Sequence, residues 1–104
     1  MDKGKERMIQ HTNRTTVFSA TCQRIMDLFL SNPSIYFTPK TASMTTGLPY
    51  HTVKTCMGLL WHNELLTKEG GKGTNYYNIT SDNMKLWVKV FRHYVYETEV
   101  RNNA

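Results

Sequence analysis

The stretch Thr38-Pro39-Lys40-Thr41-Ala42-Ser43-Met44-Thr45-Thr46-Gly47-Leu48-Pro49-Tyr50-His51-Thr52-Val53-Lys54 decides the fold. Thr38 is a hydroxyl N-cap, and Pro39 takes the first helical position, where its missing N–H costs nothing. Gly47 stops this brief helix, whose apolar members are only Ala42 and Met44. Leu48 and Pro49 then lead into a stronger helix that carries Val53, Cys56, Met57 and Leu60 on one face. Two helices separated by a tight glycine-containing turn have helix-turn-helix spacing.

Working outward, Phe18, Cys22, Ile25, Met26, Phe29 and Leu30 recur three and four residues apart, which predicts an amphipathic helix. Thr15 or Thr16 is its expected N-cap. Ser31-Asn32-Pro33 ends it, because the ring of Pro33 drives Asn32 out of the α region. Ile35-Tyr36-Phe37 reads as a short strand. Beyond the second helix of the pair, Leu65-Leu66-Thr67-Lys68-Glu69 and Tyr76-Tyr77-Asn78-Ile79-Thr80 read as two strands. The loop between them, Gly70-Gly71-Lys72-Gly73-Thr74-Asn75, puts a lysine at the tip of a glycine-rich hairpin. Ser81-Asp82 caps a final helix with the apolar stripe Met84, Trp87, Val88, Phe91, Tyr94 and Val95. Residues 1–14 mix charges, glycine and amides without periodicity and are expected to form a flexible basic tail.

The expected architecture is mainly α with a small β-hairpin: helix, short strand, helix, helix, two-stranded wing, C-terminal helix. In that order, residues 25–80 resemble a winged helix-turn-helix domain of the prokaryotic transcription-regulator type, MarR-like or PadR-like in outline. Three groups carry the resemblance: Phe37-Thr38-Pro39-Lys40, the turn Thr46-Gly47-Leu48-Pro49-Tyr50-His51-Thr52-Val53-Lys54, and Asn63-Glu64-Leu65-Leu66-Thr67 entering a wing that closes at Tyr76-Tyr77-Asn78-Ile79-Thr80. Two positions depart from it. Members usually place Ser, Thr or Asp where Pro49 stands, and glycine where Glu64 stands. The organisation expected is a tail at 1–14, a winged domain at 15–80 and a C-terminal helix at 81–104 used for dimerisation.

Composition bounds the alternatives. The chain has 104 residues, 39% hydrophobic and 20% charged, which suits one small domain and leaves no room for a second core. Its apolar runs are too short to span a bilayer, and the polar N-terminus does not suit a secretory segment. A cytoplasmic protein with no membrane role is therefore expected. Thirteen Lys and Arg against eight Asp and Glu give a net charge of +5, a modest nucleic-acid footprint. Cys22 and Cys56 form no CxxC and share no metal-ligand spacing with histidine, so buried thiols are the simple reading, with a bridge conceivable if their helices touch. Cys56 and His62 lie about 240° apart around one helix and do not face a common metal. No serine, cysteine, histidine and acid spacing sets a nucleophile beside a base, and no phosphate-cradling glycine motif precedes a helix. Neither an enzyme, a metal nor a cofactor is expected.

The candidate residues follow from periodicity. With Val53, Met57 and Leu60 facing inward, Tyr50, His51, Lys54 and Thr55 occupy the outer, N-terminal part of the helix after the turn. The resemblance implies that this end enters the major groove of double-stranded DNA. There Lys54 meets guanine or phosphate, His51 and Tyr50 donate hydrogen bonds, and Thr55 touches a thymine methyl. Gly58 would permit close approach of a backbone. Lys72 at the wing tip, Lys68 on the wing strand and Lys40 in the preceding helix are the further DNA-binding candidates. The last helix adds a second apolar line, Leu86 and Val90, and Trp61 is unaccounted for by the core. A helix apolar on more than one side must bury the excess, and a second copy is the economical partner. Trp87, Phe91, Tyr94 and Val95 are the expected homodimer residues. The expected function is sequence-specific DNA binding by a small dimeric regulator, a repressor acting by promoter occlusion. A winged-helix protein–protein module, and a plasmid or viral replication or partition site-binding protein, are the alternatives.

Overall fold

A computed structural model of the chain describes residues 17–71 and 73–103, with side chains as far as residue 100. The elements run α1 (Ala20–Ser31), α2 (Pro39–Thr46), α3 (Tyr50–His62), β1 (Thr67–Gly70), β2 (Asn75–Asn78) and α4 (Ser81–Asn103). This is the mainly helical, winged helix-turn-helix architecture expected from the sequence. Residues 1–14, Thr15, Thr16 and Lys72 lie outside the described residues.

Helix α1 buries Cys22, Ile25, Met26 and Phe29 on one face. It starts later than its periodicity suggests. Its N-cap is Ser19, whose hydroxyl accepts the Cys22 N–H at 3.2 Å. Phe18 is therefore outside the helix, and ring packing against α4 buries it instead. The other end behaves as read: Asn32 leaves the helical region before Pro33, and its side-chain amide donates to the Leu28 carbonyl at 2.8 Å.

Helix α2 depends on its ends more than on its face. Only Ala42 is buried, and Met44 is 74% exposed. Thr38 accepts the Thr41 N–H while the Thr41 hydroxyl accepts the Thr38 N–H, a reciprocal capping box behind Pro39. Gly47 closes the helix in the left-handed region at φ +74°, where glycine carries no Cβ penalty. The Arg24 guanidinium donates to the Thr46 carbonyl at 2.9 Å, tying this end to α1.

The exit from α3 is a Schellman motif built without glycine. Glu64 has φ +64°, its N–H donates to the Trp61 carbonyl at 2.9 Å, and the Leu65 N–H reaches back to the Leu60 carbonyl at 2.8 Å. Leu60 and Leu65 are both buried, as the motif's apolar contact requires. This geometry explains why glycine is favoured at position 64 and identifies a site of backbone strain.

The wing is an antiparallel pair in register Thr67↔Asn78, Lys68↔Tyr77, Glu69↔Tyr76 and Gly70↔Asn75. Both strands are shorter than the sequence suggests. Leu65 and Leu66 are buried in the core before the ladder begins, and Ile79 is buried after it ends. The expected strand at Ile35-Tyr36-Phe37 reduces to one bridge: Phe37 and Tyr77 exchange two backbone hydrogen bonds of 2.8 Å. Ile35 and Tyr36 remain exposed. Phe37 contributes its ring to the core, edge-on to Phe29 at 5.3 Å.

Helix α4 is capped by Thr80 rather than by Ser81 and Asp82. The Asn83 N–H donates to the Thr80 hydroxyl, and Asn83 Oδ1 accepts the Thr80 N–H. Asn83 also accepts from the Thr67 hydroxyl and donates to the Glu64 carbonyl. One half-turn of helix thus pins both the strained exit of α3 and the base of the wing.

Candidate nucleic-acid interface

The surface to account for is built on α3. Val53, Met57 and Leu60 are fully buried and Cys56 is nearly so, which fixes the helix's rotation against α1 and α2. That rotation turns Tyr50, His51, Lys54 and Thr55 outward, all four exposed as periodicity requires. Tyr50 is 45% exposed, with its ring edge-on to His51 at 6.0 Å between centroids. No acidic residue occurs anywhere in Tyr50–His62. Among the described residues, none of these four side chains has a hydrogen-bonding or ionic partner. The patch is thus cationic, polar and open.

Its N-terminal edge is open as well. Pro49 stands at the N-cap with no side-chain cap hydrogen bond. The Val53 N–H reaches the Pro49 carbonyl, while the first-turn N–H groups before it have no intrahelical acceptor. The turn is held from the other side: the Ser43 hydroxyl donates to the Leu48 carbonyl at 2.6 Å, and Thr46 Oγ1 accepts the Leu48 N–H at 3.3 Å. With no side-chain cap at Pro49, this helix end is positioned by its neighbours and, among the described residues, unoccupied. A helix N-terminus of this kind favours negative charge.

Lys40 is exposed in the first turn of α2. Lys68 is not a free cation in the same sense. Its ammonium lies 3.5 Å from the centroid of the Trp61 ring, a cation–π contact joining β1 to the last turn of α3. This contact accounts for Trp61, which is 41% exposed and outside the core. Lys72, the tip lysine, is outside the described residues. Its loop is shaped by Gly73 at φ +80° and by the Gly71 N–H donating to the Thr74 carbonyl. Gly58 lies on the outward side of α3, and a Cβ built there meets nothing within 4 Å.

The expected dimer residues occupy different environments. Trp87 is 9% exposed and packs within its own chain, 5.7 Å from Phe18 and 5.5 Å from Phe91. Tyr94 stacks on Phe18 at 4.2 Å and stays 38% exposed at the edge of that cluster. Phe91 and Val95 are half-buried. Beside them a groove of about 1170 Å³ runs between α4 and the Val17, Phe18 and Leu65 region, rimmed by Lys89 and Arg92. Val88, Tyr96 and Val100 add exposed apolar area to the same helix.

Sequence reasoning did not identify Asn83, Ser43 or the Lys68–Trp61 contact. Thr80 followed three residues later by Asn83 has the spacing of a capping box, and was a legible signal. The other two depend on which elements the fold brings together. No helix among the described residues is long and apolar enough to cross a membrane.

No protein-family model and no curated protein matches this sequence. Two solved structures share its fold. One is described as a possible transcriptional regulator from Methanosarcina mazei Go1, 18% identical, with a TM-score of 0.59 over 86% of this chain and 80% of that one. The other is NolR from Sinorhizobium fredii, 16% identical, with a TM-score of 0.56 over 89% of this chain and 91% of that one. At these identities the likeness establishes the fold, a helix-turn-helix with a two-stranded wing.

Proposed function

We propose that the protein binds double-stranded DNA sequence-specifically as a small homodimeric transcriptional regulator, and represses by occluding a promoter. One observation carries this reading: the outer face of α3 presents Tyr50, His51, Lys54 and Thr55 to solvent without acidic neighbours on that helix, at a helix end with no side-chain cap among the described residues. In the major groove Tyr50, His51 and Thr55 reach base edges, Lys54 meets a phosphate beside them, and the first-turn N–H groups meet another. Lys40, with Lys72 from the glycine-rich loop of the sequence, supplies the further phosphate contacts of this reading. Lys68 supports it by holding β1 to α3 through Trp61. The structural neighbour described as a possible transcriptional regulator is in keeping with this use of the fold.

The homodimer rests on α4. Its exposed Val88, Tyr94, Tyr96 and Val100, with the adjoining groove, exceed what the described residues of one chain cover. A twofold pairing there sets two copies of α3 about 34 Å apart, one duplex turn, and calls for a near-palindromic site. Selection of bound duplexes from a random pool tests the proposal. Enrichment of a palindrome supports it. Absence of any enriched sequence contradicts it and favours a winged helix that docks on protein.

A further inference from the structure

Helix α4 turns Trp87 and Phe91 onto its own chain, and its other side carries six exposed side chains: Val88, Lys89, Arg92, Tyr96, Glu99 and Val100. At about 100° per residue they fall within a strip roughly 120° wide. Three of the six are charged, and the helix does not answer those charges itself. Neither Lys89 nor Arg92 has an acidic residue three or four positions away, and Glu99 has no basic one. His93 and Glu97 show the contrast: spaced by four, they meet at 2.9 Å. Among the described residues, no ion pair involves Lys89, Arg92 or Glu99.

We propose that α4 pairs antiparallel with α4 of a second copy, in the register that sets Val88 against the partner's Val100, Lys89 against the partner's Glu99 and Arg92 against the partner's Tyr96. This rests on the homodimer reading given above and adds the direction and register of the pairing. Along the strip the order is apolar, basic, basic toward one end, then aromatic, acidic, apolar toward the other. A twofold contact makes every pair occur twice, so such a strip complements itself only when its copy runs the opposite way. A parallel pairing sets Lys89 and Arg92 beside their own copies. Within the antiparallel arrangement, sliding the partner by one turn brings Arg92 onto the partner's Arg92 in one direction. In the other direction it leaves Lys89 opposite the partner's Asn103, with no acid. The intermediate register closes both valine pairs, both ion pairs and both guanidinium–ring contacts over about 18 Å of helix. It also covers Val88, Tyr96 and Val100, the exposed apolar members of the strip.

Sedimentation equilibrium of the wild type, Lys89→Glu, Glu99→Lys and the double variant tests the register, with far-ultraviolet dichroism to check that all four fold. Each single reversal sets like charges together at two symmetric places and weakens dimerisation about tenfold. The double variant exchanges the signs and restores dimerisation to within about threefold of wild type. A second arm mixes Val88→Cys chains with Val100→Cys chains under mild oxidation; the native Cys22 and Cys56 are both buried. The mixture should give a disulfide-linked dimer. Either variant alone should not, because its two introduced thiols stand about 18 Å apart along the helix pair, beyond the reach of a disulfide. A double variant as weak as the single reversals, or cross-links formed by one variant alone, overturns the register and leaves the homodimer standing. A wild type that sediments as a monomer overturns both.

Discussion

Asn83 offers the most demanding check on the fold, because one side chain joins three elements. It is 9% exposed; its Oδ1 accepts from the Thr67 hydroxyl, the Thr80 N–H and the Thr80 hydroxyl, each at 2.9 Å. Its Nδ2 donates to the Glu64 carbonyl at 2.8 Å. Asn83→Ala removes all four. The two hydroxyls can turn to other acceptors, but the Thr80 N–H and the Glu64 carbonyl lose their partners in a part-buried site. Each orphaned group costs about 1–2 kcal/mol, giving an expected loss of about 2–4 kcal/mol. A domain of this size is stable by roughly 5–15 kcal/mol, so the loss is a large fraction of the whole. The corresponding fall in Tm is about 10–25 °C. Urea titration followed by far-ultraviolet dichroism measures it, with Thr67→Val, which removes one of the four bonds, expected to lose about 0.5–1 kcal/mol. An Asn83→Ala midpoint within about 0.5 kcal/mol of wild type would refute the reasoning, since the wing and the strained turn would then be held by something else.

Further outcomes are expected. Gly58→Ala on the open side of α3 and Glu64→Gly at φ +64° each stabilise the protein by roughly 0.5–1 kcal/mol in thermal or urea unfolding. Of the two, only Gly58→Ala weakens duplex binding, if the backbone of DNA approaches at that point; unchanged affinity removes Gly58 from the contact. Val88→Glu, on the exposed side of α4, yields monomers by sedimentation with a Tm within a few degrees of wild type. Trp87→Glu instead unfolds the chain, because Trp87 packs against its own Phe18. Burial raises the Tyr77 phenol above its ordinary value near 10. The unfolded chain therefore ionises first, so this contribution is intact below about pH 10 and lost as pH rises through the folded value. Tyr77→Phe should flatten that alkaline loss of stability, and an unchanged pH profile would contradict it.

The parts of the fold legible in the sequence are those fixed locally. Thr38-Pro39, Gly47 and Asn32-Pro33 set helix ends through sterics and hydrogen bonds within a few residues, and all stand where read. The inward and outward faces of α3 follow from its period alone. Misread boundaries arose where burial comes from distant partners. Phe18 fits the period of α1 yet is placed by α4, so the helix starts at Ala20. Leu65 and Leu66 look like strand residues because they are apolar, but they are buried in the core ahead of the ladder. The stripe on α4 has the same ambiguity: periodicity shows that Trp87 is covered, without showing by which body. Lys68 reads as a free wing lysine until the fold sets Trp61 beneath it.

The central claim is that the outer face of α3 sits on a double-stranded polyanion, and the salt dependence of binding tests it most directly. With Lys40, Lys54 and Lys72 each neutralising one phosphate in both copies of a dimer, log affinity for the selected duplex should fall with log salt at a slope of about −5.4. Removing two of those contacts by Lys54→Ala should bring the slope to about −3.6 and weaken binding at every salt concentration. A wild-type slope near zero, or a Lys54→Ala titration that overlays the wild type, would contradict the account.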